Sequence, residues 1–170
     1  MVTLPIKPNR GGFLRHFGCG WFTREFLLGN GPYDSPLIDP EVGAPQADIF
    51  YQYKQALRRV TAEDMAVRCE EKRAKKENRP INPDNIETLT SKYLERLPYK
   101  SRGCRYHSFV TYFSMLQQLG WVEPSGKVEP SEFQQNYPPG KPRIYFRLTQ
   151  KGKSAPDHLW ANPKKALYRH

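Results

Sequence analysis

Apolar side chains recur at intervals of three and four residues in several parts of the chain, which is the spacing of amphipathic helices. Residues 21–28 form a short apolar segment and predict one or two helical turns. The same spacing predicts one helix over residues 48–59 and another over residues 62–76. The boundary between them is expected at Thr61-Ala-Glu-Asp, which resembles the capping box of a helix start.

Two further helices follow, and each has a recognisable boundary. Residues 78–84 are rich in helix-breaking residues, and Pro83 suits the first position of a third helix that runs to about Leu97. A fourth helix is predicted from about Cys104 to Leu119, and Gly120 suits its C-terminal end.

After the fourth helix the pattern changes to short strands. Residues 121–123 predict a first strand, and residues 124–142 form a long connection that contains five prolines. Residues 143–148 alternate strictly between polar and apolar side chains, which predicts a second strand with one buried face. The predicted fold class is therefore mainly α with a small antiparallel β-hairpin.

Composition divides the chain into three parts. Residues 1–45 form a glycine- and proline-rich arm that is too aromatic for a free linker, so we expect it to pack over the domain or across a partner chain. Residues 46–153 form the domain itself, and residues 154–170 form a C-terminal tail. We expect the arm and the tail to support a homodimer, because the tail carries apolar side chains that are hard to bury near a terminus. These side chains are Leu159, Trp160, Leu167 and Tyr168.

The basic residues are concentrated in the C-terminal part of the chain, which has 170 residues and a formal net charge of +10 at pH 7. Residues 1–50 sum to −1, residues 51–97 to +3 and residues 98–170 to +8. Such a local excess of positive charge suits a surface that binds a polyanion. A solvated surface that keeps the protein in solution explains the charge equally well.

Two segments of the C-terminal half carry a family resemblance. Leu116-Gln-Gln-Leu-Gly-Trp-Val-Glu, followed later by Arg143-Ile-Tyr-Phe-Arg-Leu-Thr-Gln-Lys-Gly-Lys, resembles the end of the recognition helix and the wing of MarR- and PadR-like transcription regulators. The resemblance covers residues 104–153 and implies a winged helix-turn-helix, here with an N-terminal arm and a C-terminal tail. The chain departs from the family pattern in its longer, proline-rich wing and in the long turn before the fourth helix.

The fourth helix has the two faces that a recognition helix needs. Phe109, Phe113 and Leu116 fall on one side, where they can clamp the helix to its scaffold. The other side gathers short hydrogen-bonding side chains that suit base edges in the major groove, and basic residues before the helix and on the hairpin suit phosphates. The predicted DNA contacts are Lys100, Arg102, Arg105, His107, Ser108, Thr111, Ser114, Gln118, Lys141, Arg143 and Arg147. The alternative for this helix face is a polar surface that only meets water.

Two short pairs of residues have the spacing of metal ligands, namely His16-x-x-Cys19 and Cys104-x-x-His107. Together they make a Cys2His2 set that could hold a structural zinc ion between the arm and the fourth helix. The alternative is that Cys19 lies in a glycine-rich turn, that Cys104 is a small buried residue and that His107 faces DNA. We adopt the alternative, so no metal or other cofactor is predicted.

Other classes of protein find little support in the sequence. No uninterrupted apolar run approaches the length of about 20 residues that a bilayer requires, and the N-terminal segment lacks the apolar core of a signal peptide. The odd number of cysteines, three, favours a reducing cytosol over a disulfide scaffold. We also find no phosphate-cradling glycine loop, no His-Glu-x-x-His motif and no nucleophile elbow, so an enzyme is not predicted.

The sequence therefore predicts a double-stranded-DNA-binding protein with a winged-helix domain. We expect a dimeric transcription regulator or architectural protein in the cytoplasm, associated with the nucleoid if the source is prokaryotic. The alternative is a winged-helix structural subunit that binds RNA or protein in a larger assembly, because winged helices occur both in DNA-binding proteins and in structural subunits.

Overall fold

The elements of the chain are mostly helical. The computed structural model describes residues 18–97, 105–129 and 142–168. Its helices are α1 Cys19–Leu27, α2 Gln46–Glu77, α3 Pro83–Arg96, α4 Tyr106–Gln118, α5 Gln150–Ser154, α6 Asp157–Ala161 and α7 Pro163–Leu167. Its strands are β1 Ala44–Pro45, β2 Val122–Glu129 and β3 Arg143–Leu148. The prediction of a mainly helical chain with a small antiparallel sheet is confirmed.

The sheet has three strands, with β3 between β1 and β2, and both pairings are antiparallel. Ala44 of β1 pairs with Phe146 of β3, which adds a strand that the sequence pattern does not predict. β2 is longer than predicted, because it continues through Pro124 to Glu129. Its register against β3 shifts between Pro124 and Val128, and such an irregularity accommodates a proline that has no N–H to donate.

α2 is one continuous helix, so the predicted boundary at Thr61 is wrong. Val60, Thr61 and Ala62 are all buried, and the helix continues without interruption past Thr61, where the capping box would begin. No glycine or proline interrupts Gln46–Glu77, so nothing in the backbone opposes its continuation. The helix ends where Asn78 adopts the left-handed conformation with φ of +53°.

α3 folds back along the C-terminal half of α2 and forms a helical hairpin with it. Asn82 caps α3, because its side-chain oxygen accepts a hydrogen bond from the Asp84 N–H at 2.9 Å, and Pro83 occupies the first turn as predicted. The hydrophobic core of the domain reaches along α2 only as far as Val60. The α2–α3 hairpin beyond that point therefore projects from the core.

A buried carboxylate holds the turn of this hairpin together. The Glu70 side chain is fully buried, and Arg79 Nη2 donates to its Oε1 at 2.7 Å. Asn85 Nδ2 donates to Glu70 Oε2 at 3.1 Å, and the Asn82 N–H donates to the same oxygen at 3.3 Å. The hydrogen bond from Arg79 is the main cause that lowers the pKa of Glu70 to about 2, against the opposing effect of burial.

We expect Glu70→Gln to lower the free energy of unfolding at neutral pH and to flatten its dependence on pH. The pKa of Glu70 is about 2 in the folded chain, whereas an unfolded glutamate titrates near about 4.3. The ionised carboxylate therefore contributes its full stability above the unfolded pKa and loses it as the pH falls from about 4 towards 2. Urea unfolding of wild type and variant should give free energies that converge over this range.

The control for this prediction is Glu71→Gln, which removes the same charge one residue further along α2 at an exposed position. This variant should keep the pH dependence of the wild type. Curves for Glu70→Gln and wild type that stay parallel below about pH 4 would show that Glu70 does not carry the acid-sensitive stability.

One core receives side chains from both ends of the described chain. Phe22 of α1 is 1% exposed and Trp160 of α6 is 0% exposed. Trp160 packs on Trp121 with ring centroids 5.1 Å apart, and its Nε1–H donates to the Gly152 carbonyl at 3.1 Å. From residue 18 onward the arm contributes side chains to this core, so packing against its own domain, one of the two predicted alternatives, is what the described part of the arm shows. The expected role of Trp160 in a dimer interface is wrong, because its own chain buries it.

Candidate nucleic-acid interface

The apolar face of α4 holds the helix in place. Phe109, Phe113 and Leu116 are each 0% exposed. Phe113 meets Phe146 of β3 edge-on, with ring centroids 5.2 Å apart, and Phe109 lies 5.3 Å from the ring of Phe50 in α2. These contacts fix α4 to the sheet and to α2, as its sequence pattern predicts.

The opposite face of α4 is mostly polar, and most of it is exposed. Its members are the exposed His107, Thr111 and Gln118 and the half-buried Ser114, and it is flanked by the exposed Ser108 and by Val110, which is 37% exposed. The Thr111 hydroxyl donates to the His107 carbonyl at 3.1 Å, and Gln118 Nε2 donates to the Ser114 hydroxyl at 3.2 Å. Both bonds stay within α4, and they leave the side chains of this face with further capacity to accept and donate hydrogen bonds.

Hydrogen bonds join the two segments that carry the family resemblance, at the end of α4 and at the end of β3. The Thr149 hydroxyl donates to the Gly120 carbonyl at 2.5 Å and accepts a hydrogen bond from the Gly152 N–H at 3.0 Å. The Thr149 N–H donates to the Trp121 carbonyl at 2.9 Å. A Cβ on Gly152 would lie 2.2 Å from that carbonyl oxygen, so glycine is needed for this close approach. The hydrogen bonds of Thr149 and the close approach of Gly152 fix the direction in which the β-hairpin leaves α4.

Arg143 and Arg147, two of the predicted phosphate contacts, are engaged within the chain. Arg143 Nη2 pairs with Asp48 Oδ2 of α2 at 2.5 Å. Arg147 Nε pairs with Glu123 Oε1 of β2 at 3.2 Å, and its Nη1 lies 3.5 Å from Glu41 Oε2. These pairs brace the sheet against α2 and against the chain before β1, and they offset both guanidinium charges locally. Phosphate contact by the two arginines stays a prediction, and the geometry favours their bracing role.

Some predicted site residues lie outside the described residues. These are His16, Lys100, Arg102, Cys104 and Lys141. Arg105 is described and lies exposed immediately before α4, so its guanidinium can reach a ligand beside the helix. The structure therefore places Arg105 at the N-terminal end of α4, and the contribution of the flanking turn stays a prediction.

Two of the four expected zinc ligands are described. Cys19 is buried in the first turn of α1 rather than in a glycine-rich turn, and its Sγ lies 4.0 Å from Thr23 Oγ1. His107 is exposed on α4. In the part of the chain that the structure describes, no three His, Cys, Asp or Glu side chains converge to hold a metal ion. The zinc set stays an untested hypothesis.

A set of exposed lysines near the C-terminal end is missing from the sequence-based prediction. Residues 142–168 carry one acidic side chain, Asp157, whose Oδ1 accepts a hydrogen bond from Arg24 Nη1 at 2.8 Å. The exposed lysines of α5 and α7 form no ion pair with a described residue. They are Lys151, Lys153, Lys164 and Lys165. The signal that could have found them is the near absence of acidic residues from this stretch.

Comparison with other proteins adds no assignment to this geometry. None of the helices in the described ranges combines the length and the apolar character that a membrane crossing requires. No protein family, no curated protein and no solved structure matches the chain.

Proposed function

We propose that the chain is a winged helix-turn-helix protein that binds double-stranded DNA through α4, as a homodimeric transcription regulator or an architectural protein. The order of the elements supports this proposal. α4 runs directly into the β2–β3 hairpin, and β3 lies between β2 and the short β1 that follows α1. On this assignment α1, β1, the first half of α2, α4 and the hairpin make up the winged helix, and the α2–α3 hairpin is an insertion into it.

The observation that carries the proposal is the exposed polar face of α4. A recognition helix needs one face locked to its scaffold and another face that can reach base edges, and α4 has both. From His107 to Gln118 the helix rises by about 16 Å, which matches about five base pairs at about 3.4 Å each. The major groove is about 12 Å wide and admits a helix with its side chains.

We expect Thr111→Glu to weaken binding of duplex DNA by about tenfold or more, because it places a negative charge in the middle of the face that would enter the groove. Thr111 is exposed, and its hydroxyl makes its one hydrogen bond within the described chain to a backbone carbonyl of the same helix. The substitution should therefore leave the fold intact. Fluorescence anisotropy with a labelled duplex at low salt measures the change.

The matched control is Thr88→Glu in α3. Thr88 is also exposed on a helix, and its hydroxyl donates to the Asp84 carbonyl four residues earlier at 3.0 Å, as Thr111 does to His107. The charge change is identical, but Thr88 lies on the hairpin that projects from the core. Equal loss of affinity in the two variants would show that net charge matters and that the face of α4 does not.

A second candidate function is that of a structural subunit that binds RNA or another protein. The α2–α3 hairpin favours it, because the hairpin extends beyond the core and Ile81 at its tip is 49% exposed. Gel shifts with duplex DNA, single-stranded DNA and structured RNA of equal length separate the two functions. Binding of RNA without binding of duplex at low salt would favour the second candidate and contradict the first.

A further inference from the structure

The short C-terminal helices border a basic surface depression, and no residue of α4 lines it. Its volume is about 580 Å³. It is lined by His158, Leu159, Asn162, Lys164, Lys165 and Tyr168. The lining thus combines three basic side chains with an amide and a phenol, and all of these groups can donate hydrogen bonds to phosphate oxygens.

We propose that this depression binds the sugar–phosphate backbone of the duplex on which α4 is seated. The inference rests on the proposed function and extends it, because it names a part of the chain outside the winged helix that grips the DNA. Backbone contacts of this kind position a protein on DNA and supply affinity that does not depend on sequence.

Within the described ranges, most of the positive charge of the β-hairpin is paired, whereas that of the C-terminal helices is not. Arg143 and Arg147 already have carboxylate partners in the sheet and beside it, so the β-hairpin offers less free charge than its sequence suggests. Asp157, the one carboxylate in residues 142–168, is engaged by Arg24. The free positive charge of this part of the chain therefore lies on α5 and α7, and Lys164 and Lys165 bring it to the depression.

The depression is built on a fixed base. Trp160 is fully buried, and its Nε1–H holds α6 to the Gly152 carbonyl of α5. Pro163 at the start of α7 is also buried, whereas the two lysines that follow it are exposed. Because the backbone that carries the two lysines is anchored, binding of an anion has to order only their side chains and not the helix itself.

The position of α7 relates the depression to α4. α7 packs against α4, and the Tyr112 hydroxyl of α4 donates to the Trp160 carbonyl at 3.5 Å. Tyr112 is 1% exposed, so this contact lies on the buried side of α4, away from the face that would enter the groove. The phosphates assigned to Lys164 and Lys165 are therefore those of the strand beside α4, outside the groove that α4 would enter.

The test is the double substitution Lys164→Gln/Lys165→Gln, measured on two unrelated duplexes over a range of salt concentrations. If both lysines contact phosphates, the slope of log affinity against log salt concentration should become shallower by about two. The loss of affinity should be equal on the two duplexes, because backbone contacts do not read sequence. Both side chains are exposed, so the fold should not change.

The matched control is Lys75→Gln/Lys76→Gln, which also neutralises two adjacent exposed lysines in the last turn of a helix. This pair lies 25 residues beyond Phe50, a residue of α2 whose ring contacts α4, and α2 rises by about 38 Å over that distance. The control should keep the salt slope of the wild type. A shallower slope in both double variants would overturn the inference, because it would reflect net charge alone.

The remaining outcomes separate this inference from the proposed function. Loss of slope in Lys164→Gln/Lys165→Gln with unchanged affinity in Thr111→Glu supports the depression and contradicts α4 as the reading helix. Weakened binding by Thr111→Glu with a wild-type slope in the lysine variant overturns the depression and supports α4. A wild-type chain that binds no duplex at low salt, or that binds RNA alone, overturns both.

Discussion

Gly43→Ala should unfold the chain or lower its free energy of unfolding by more than about 3 kcal/mol. Gly43 lies immediately before β1, with φ of +72°. A Cβ at this position would lie 1.6 Å from the carbonyl oxygen of Phe146 in β3. Neither backbone can move aside without breaking the β1–β3 pairing, and Phe146 would be displaced from the core together with it. The loss is measured from urea unfolding at neutral pH.

Gly120→Ala is the matched control for this substitution. Gly120 has the same φ of +72°, but apart from its immediate chain neighbours no described residue has an atom within 4 Å of the place that its Cβ would occupy. The control should show only the strain of the left-handed conformation, about 1–2 kcal/mol. If the two alanine variants lose the same stability, the close approach of Gly43 to β3 is not present in solution.

The second large effect is expected for Trp160→Ala, which should lower the free energy of unfolding by about 3–5 kcal/mol. The indole is 0% exposed, and it packs on Trp121 while its N–H satisfies the Gly152 carbonyl. Truncation would leave a cavity between the C-terminal helices and the core, and it would leave that carbonyl without the indole donor. Thermal and urea unfolding both measure the change.

Tyr168→Ala provides the comparison within the same segment, because Tyr168 is 68% exposed. Its effect should stay within about 0.5 kcal/mol. Unfolding of both variants at two protein concentrations tests whether the effect belongs to a single chain. A loss in Trp160→Ala that grows on dilution would place Trp160 in an interface between chains and contradict its burial by its own core.

How much of the fold the sequence predicts depends on whether a local signal marks each element. α3 begins at Pro83, and Gly120 follows α4 as expected, because proline and glycine act on the backbone through their own φ preferences. The strand at residues 143–148 has the predicted bounds, since its alternation is local too. β1 has no such signal: its two residues form a strand only because β3 lies beside them. The continuity of α2 through Thr61 likewise depends on burial, which no short motif encodes.

In the candidate site, too, some features follow from local sequence and others only from the tertiary fold. The polar face of α4 follows from helical periodicity alone, so the sequence predicts which side chains share it. The pairing of Arg143 with Asp48 and of Arg147 with Glu41 joins residues about a hundred positions apart, and only the tertiary fold brings them together. A sum of charges along the chain therefore overstates the free charge of the β-hairpin. It also gives no hint that α7, the helix that carries Lys164 and Lys165, packs against α4.

The unbroken course of α2 has a mechanical consequence. From Val60, where the core ends, to Glu77 at the hairpin tip the helix rises by about 26 Å, and no proline or glycine in between provides a point for a sharp kink. If this rod tilts by about 5° at its base, the tip sweeps through about 2.2 Å. Torque is force multiplied by the length of the arm, so a small force on the tip exerts a large torque at the base. The hairpin is thus a lever whose fulcrum lies at the edge of the core that also holds the helix that we propose to read DNA.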